Sequence, residues 1–262
     1  MNENKRKVAL VSPTDDHTKE VIQRAIDDDV AQFECFYGDD ASAMAVECVR
    51  SGGADLLMKG AVNTDVLLRA ALDKEHGILQ PGRVMTHISV ANIPGWQRPL
   101  IFSDAAVIPH PDILQMDAIV RYTVEAARNL GIATPKVALT NFTEKENPKF
   151  PQTAVYQEIR CRAAEGLYGD VVIGGPMDVK TACDIESGAI KGITSPVVGN
   201  AAVLLLPNIE SGNTFYKTIS LFANATTAGW LEGTDVPVIV SSRADTVDSK
   251  FLSLALVCRL GE

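Results

Sequence analysis

The sequence predicts an α/β protein built on mainly parallel sheets. Short runs rich in Val, Ile and Leu recur along the chain without clean polar alternation, as they do in strands covered on both faces. Amphipathic stretches at helical spacing separate these runs, the pattern of right-handed crossover units. The 262 residues, 46% hydrophobic, suffice for one large α/β domain or two smaller ones, with no need for disulfides or a structural metal.

Strands are expected over residues 8–11, 33–37, 55–58, 87–91, 100–103, 136–139, 171–173, 202–206 and 236–240. Helices are expected over 20–26, 64–72, 116–130, 153–167, 180–190, 214–231 and 246–257. In 20–26, for example, Val21, Ile22, Ala25 and Ile26 fall on one helical face. The dipeptide Thr134-Pro135 marks a boundary, with proline closing a helix and opening a strand. A second crossing is expected near 233–237, where Gly-Thr-Asp-Val-Pro ends the helix over 214–231.

A net charge of −9 and a sequence pI near 5.0 argue against nonspecific nucleic-acid binding. Five scattered cysteines without a CxxC pair speak against a disulfide scaffold or a zinc site. The first residues, MNENKRKVALVS, are polar and basic and carry no signal-peptide core. No apolar run approaches the roughly 18 residues of a membrane span, so a soluble, cytoplasmic protein without membrane or nucleic-acid partners is expected. GxGxxG, Walker, GxSxG and HExxH patterns are missing, and His17, His76, His87 and His110 lack metal-ligand spacing.

Chemistry is concentrated where strands end. In Pro237-Val-Ile-Val-Ser241-Ser242-Arg243-Ala-Asp245-Thr-Val-Asp248 an apolar strand runs through Ser-Ser-Arg into a helix. Ligands of open α/β sheets bind at the carboxyl ends of strands, and helix N–H groups favour anions there. Arg243 adds a permanently charged fork suited to phosphate. The plain alternative is a capped helix, with Asp245 as N-cap and Asp248 as a first-turn acid. Gly212, Asn213 and Lys217 follow a second strand end, Lys59-Gly60 a third, and Gly174-Gly175-Pro176 lies at a fourth. Each alone reads equally as a structural turn; four together suggest one shared cleft.

These segments also carry a resemblance. LMKGAVNT at 57–64, THISV at 86–90, PKVALTNFTEKENP at 135–148, GGPMD at 174–178, AIKGITSPVVGNAAVLLLPNIESGNTFYK at 189–217 and PVIVSSRADT at 237–246 stand in the order found in the phosphate acetyltransferase and phosphate butyryltransferase family. The set resembles the butyryltransferase branch more closely. Tyr216-Lys217 is followed by Thr-Ile-Ser rather than the arginine of the acetyltransferase branch.

The resemblance implies a two-domain α/β fold like isocitrate and isopropylmalate dehydrogenases, with mainly parallel sheets and an active-site cleft between domains. Residues 1–135 with 236–262 would form a discontinuous domain, and 136–235 an inserted one. It further implies an acyltransferase converting butyryl-CoA, or another short acyl-CoA, and phosphate into acyl phosphate and CoA. Coenzyme A is then substrate or product, with no bound cofactor or metal, and a homodimer or larger homo-oligomer is expected. Ser242 would orient the CoA sulfur and Arg243 would bind the phosphoryl group. Asn213, Lys217, Lys59, Gly60 and Gly175 would serve substrate or phosphate binding. A carboxylate after Ser242 would take the thiol proton. The acetyltransferase branch has it seven positions on, where this chain has Ser249, so Asp248 and Asp245 are the candidates, with Asp248 favoured on helix geometry. Phosphate acetyltransferase is the near alternative. A noncatalytic CoA- or acyl-phosphate-binding homologue and a metal-dependent dehydrogenase on the related fold are the more distant ones.

Overall fold

The computed structural model describes residues 5–242 and 245–260. In chain order the elements are β1 Arg6–Val11, α1 Asp16–Asp27, β2 Ala31–Phe36, α2 Ala41–Arg50, β3 Leu56–Lys59, α3 Thr64–Ala71, β4 Thr86–Asn92, β5 Leu100–Ser103, α4 Ile113–Asn129 and β6 Lys136–Thr140. There follow α5 Gln152–Ala164, β7 Val172–Met177, α6 Val179–Cys183, α7 Ile185–Lys191, β8 Val203–Leu205, α8 Ile209–Phe222, β9 Thr226–Glu232, β10 Val238–Ile239 and α9 Val247–Arg259.

The chain divides into two units, Met1–Met85 with Thr226–Glu262, and Thr86–Ala225. In the first, the strand order is β2-β1-β3-β10-β9. The first four run parallel, and only β9 is antiparallel to its neighbour β10. Val8, Ala9, Leu10 and Val11 are wholly buried, because helices cover both faces of such a sheet. Asp15 starts α1 by accepting from the Thr18 backbone N–H and hydroxyl at 2.9 and 2.6 Å. That fixes the helix so that Val21 and Ala25 face inward.

In the second unit the order is β4-β5-β8-β6-β7, parallel except for β4 against β5. Its core joins Phe102, Ala138, Met177, Val197 and Leu204 to Ile219 of α8. Phe215 meets the Phe102 ring edge-on, centroids 5.1 Å apart. A capping box at Asp112 and Gln115 opens α4.

The junctions fall at 85/86 and 225/226 rather than at 135 and 235. The reason is strand pairing: β5 lies directly beside β8, so β4 and β5 pack with the later strands instead of the earlier ones. The helix expected over 214–231 ends at Phe222. Asn224 turns the chain with a φ of 50°, the Ala225 N–H returns to the Ile219 carbonyl at 3.1 Å, and β9 follows. The helix expected over 180–190 is two helices, because Asp184 caps α7 by accepting from the N–H groups of Glu186 and Ser187. Among the described residues no helix is long and apolar enough to cross a membrane.

Candidate active site

In the first unit three parallel strands, β1, β3 and β10, bring their carboxyl ends to one sheet edge. Gly60 follows β3, and its N–H donates to the Val11 carbonyl at 2.8 Å. The next N–H, of Ala61, reaches the Ser12 carbonyl at 2.8 Å. A Cβ at Gly60 would stand 2.5 Å from both carbonyl oxygens, so only glycine allows this backbone approach. Lys59 is 3% exposed. Its ammonium donates to the carbonyls of Gly60 and Val62 at 3.1 and 3.2 Å, holding the loop after β3.

Beyond β10, the Ser242 N–H donates to Asp245 Oδ2 at 2.6 Å, and the Asp245 N–H returns to the Ser242 carbonyl at 3.1 Å. This reciprocal turn places a carboxylate directly beside the serine. Thr246 then caps α9 through the Ser249 N–H at 3.2 Å. Arg243 lies outside the described residues. Asp248 has another engagement: its side chain is 74% exposed and pairs with Arg24 of α1 at 2.8 Å. Arg24 in turn lies 3.9 Å from the Phe251 ring centre. The helix geometry that favoured Asp248 thus gives it a partner on α1, whereas Asp245 is the acid that contacts Ser242. Ser249 is buried and accepts from the Thr227 N–H at 3.2 Å, tying α9 to β9.

The other candidates belong to the second unit. Gly175 has a φ of 125°, and a Cβ there would stand 2.5 Å from the Leu139 carbonyl, so β7 presses on β6 at a point closed to other residues. Asn213 and Lys217 lie one turn apart on α8. Asn213 Nδ2 donates to the Ala105 carbonyl at 3.1 Å, and the Lys217 ammonium sits 4.5 Å from the Tyr216 ring centre. Gly212 holds α8 against the segment after β5. There Asp104, 2% exposed, accepts from the Thr86 hydroxyl at 2.8 Å and from the N–H groups of His87, Ala106, Val107 and Ile108.

A cavity of about 600 Å³ opens at the carboxyl ends of β6, β7 and β8, with Asn141, Phe142, Asp178 and Phe215 among its walls. It is large enough for a small organic ligand. Asn213 and Lys217 do not line it; the α8 face that does carries Glu210, Thr214 and Thr218. No motif in the sequence marks this cavity as a site; its position at parallel strand ends is the one signal for it. Burial alone would raise the Asp178 carboxyl, but Lys191 and the Thr181 N–H and hydroxyl outweigh it and hold the carboxyl at about 2. Among the described residues no group of His, Cys, Asp or Glu side chains could hold a metal ion.

Residues 5–258 match the model of a family described as phosphate acetyl/butaryl transferase. The chain belongs to that family. Its relatives are named as acyltransferases, and this chain is an enzyme of the phosphate acetyl- or butyryltransferase type. It is 38% identical to the phosphate butyryltransferase of Clostridium acetobutylicum, across 82% of this chain and 71% of that one. It is 33% identical to the phosphate acetyltransferase of Thermotoga maritima, across 96% and 94%. Among solved structures, a branched-chain phosphotransacylase from Enterococcus faecalis V583 superposes with a TM-score of 0.85 at 26% identity, covering 97% of this chain and 98% of that one. The family membership thus carries the α/β fold and the acyltransferase class together.

Proposed function

We propose that the chain transfers a short acyl group, butyryl in type, between coenzyme A and inorganic phosphate. The observation that carries the proposal is the Ser242–Asp245 turn at the end of β10, beside the backbone-packed Lys59-Gly60 loop. In one direction, the carboxylate of Asp245 takes the proton of the CoA thiol, held in place by Ser242. A free thiol has a pKa of about 8.5 and is mostly protonated at neutral pH, and the thiolate is the nucleophile. The sulfur attacks the acyl carbonyl of the acyl phosphate, the C–S bond forms, and the C–O bond to phosphate breaks. Arg243 binds the phosphoryl group as it leaves. In reverse, a phosphate oxygen attacks the thioester carbonyl, the C–S bond breaks, and the thiolate regains a proton. Hydrogen-bond donors stabilise the tetrahedral oxyanion in both directions.

Asn213, Lys217, Lys59, Gly60 and Gly175 complete the proposed substrate-binding set, and Asp248 is the second acid. The reading includes an isocitrate/isopropylmalate dehydrogenase-like fold and needs no bound cofactor. Support for the butyryl preference comes from the missing arginine after Tyr216-Lys217 and from the 38% identity to a butyryltransferase. The near-complete coverage of an acetyltransferase favours the second reading, phosphate acetyltransferase. Relative kcat/KM values for acetyl-CoA and butyryl-CoA decide between them. Each extra methylene in an apolar pocket is worth only about 1–3 kcal/mol, so measurable activity on both is expected. A ratio favouring acetyl-CoA would remove the butyryl assignment, and tight CoA binding without turnover would remove the catalytic one.

A further inference from the structure

The cavity of about 600 Å³ at the carboxyl ends of β6, β7 and β8 adjoins two members of the proposed substrate-binding set. Thr214 and Thr218 line it, and along α8 they directly follow Asn213 and Lys217. Its apolar walls are held from behind. Phe215 meets the wholly buried Phe102 ring edge-on, centroids 5.1 Å apart, and Phe142 meets Phe150 in the same way at 4.6 Å. Thr140, 3% exposed, donates its hydroxyl to the Leu205 carbonyl at 2.7 Å. Leu206 is buried, and Val179 packs on the same core cluster as Phe215. The two rings, Val179 and Leu206 give a preformed and largely apolar surface.

Charge narrows the choice of occupant. Among the described residues no Lys, Arg or His lines the cavity, whereas Asp178 and Glu210 do. Lys191 reaches Asp178 but also pairs with Glu144, so three carboxylates stand against one ammonium. A phosphoryl group, or the phosphates of coenzyme A, would meet acids there with no free cation to answer them. An uncharged hydrocarbon chain meets no such cost and gains from each methylene removed from water. Of the parts of an acyl-CoA or acyl phosphate, only the acyl chain is both uncharged and wholly hydrocarbon beyond its carbonyl.

We infer that this cavity takes the acyl chain of the substrate, and that Thr214 and Val179 set the length of chain it accepts; this rests on the acyl transfer proposed above. Thr214 is exposed on α8 and Val179 is half-buried, so Thr214→Phe fills the cavity and Val179→Ala enlarges it without burying a new polar group. Thr214→Phe should lower the ratio of kcat/KM for butyryl-CoA to that for acetyl-CoA by about tenfold or more, the scale of a methylene that no longer fits. Val179→Ala should raise the valeryl-to-butyryl ratio severalfold. Equal losses on every acyl-CoA, with chain-length ratios unchanged, would put the pantetheine arm there instead and overturn the inference.

Binding is read separately, without turnover. The full chain is titrated with the neutral thioester S-butyryl-N-acetylcysteamine and followed by amide NMR, with the S-acetyl compound and butyrate in parallel. Saturating shifts at residues 140–142, 178–179 and 206–218 are expected with the butyryl thioester, weaker binding with the acetyl one, and none with butyrate. Thr214→Phe should weaken the butyryl thioester severalfold, with each variant's unfolding midpoint checking that the fold is intact. No shifts in this region, or equal affinity for the two thioesters, would overturn the inference. Chain-length-dependent shifts without turnover of any acyl-CoA would uphold the acyl pocket and remove the acyl-transfer reading.

Discussion

The backbone N–H of Ser242 donates to Asp245 Oδ2 at 2.6 Å, while Asp248 turns its carboxylate to Arg24 of α1. Two acids three residues apart therefore have different surroundings. Asp245 closes the turn that presents Ser242. Asp248 ties the first turn of α9 to α1, in an exposed pair of the kind worth about 0–1 kcal/mol.

This difference predicts a divergence between two isosteric variants. Asp245→Asn keeps an oxygen to accept from the Ser242 N–H but loses its basicity. It should lower kcat by about 10²-fold or more, the usual scale for a general base. Asp248→Asn should leave kcat within about threefold, since it removes only an exposed ion pair. Steady-state kinetics with acyl-CoA and phosphate check both. The reverse order of effects would return the base to Asp248.

Gly212 offers a purely steric prediction. A Cβ at this position would stand 1.9 Å from the Asp104 carbonyl oxygen, an atom of the backbone. Either α8 or the segment after β5 must shift, and such overpacking costs about 1–3 kcal/mol. Gly212→Ala should therefore lower the denaturant midpoint of the second unit clearly. An unchanged midpoint would mean that the close approach is relieved at no cost.

Asp104 organises the same region from the other side. Its buried carboxylate accepts from the Thr86 hydroxyl and four backbone N–H groups. Asp104→Ala leaves those donors without their acceptor, at about 1–3 kcal/mol for each one that stays buried and unpaired. A loss of several kcal/mol in urea unfolding is expected, larger than that of any exposed acid-to-alanine change.

Asp178 predicts a stability change in acid. Its folded pKa is depressed to about 2 from the 3.8 of an unperturbed carboxyl. Its contribution is therefore fully present above the unfolded value and is lost as pH falls from about 4 through about 2. With the half-exposed Lys191 partner discounted for solvent screening, the contribution is about 1–2 kcal/mol. Asp178→Asn can still cap α6, so the wild-type advantage over this variant should shrink across that window. A constant difference from pH 6 down to pH 2 would contradict the assignment.

Much of the fold could be read from the sequence because parallel strands covered on both faces produce uninterrupted Val, Ile and Leu runs, as in β1 and β8. Strand β9 was lost for a physical reason. Its Thr-Thr-Ala-Gly-Trp-Leu-Glu continues apolar spacing that also suits the end of α8, and the stop signal was a single residue, Asn224 in the left-handed region. The domain junctions were missed with it, because they depend on which strands pair across the sequence. In the site, Ser242 and Lys59-Gly60 were legible as polar strand ends. The different surroundings of Asp245 and Asp248 are not legible there, since Asp248 meets Arg24, more than 200 residues away in the chain.

Mixing the protein with butyryl-CoA and inorganic phosphate and following free thiol tests the proposed acyl transfer itself. Phosphate-dependent CoA release matched by an equal amount of butyryl phosphate is expected. No phosphate-dependent release from butyryl-, acetyl-, propionyl- or branched acyl-CoA would contradict acyl transfer to phosphate.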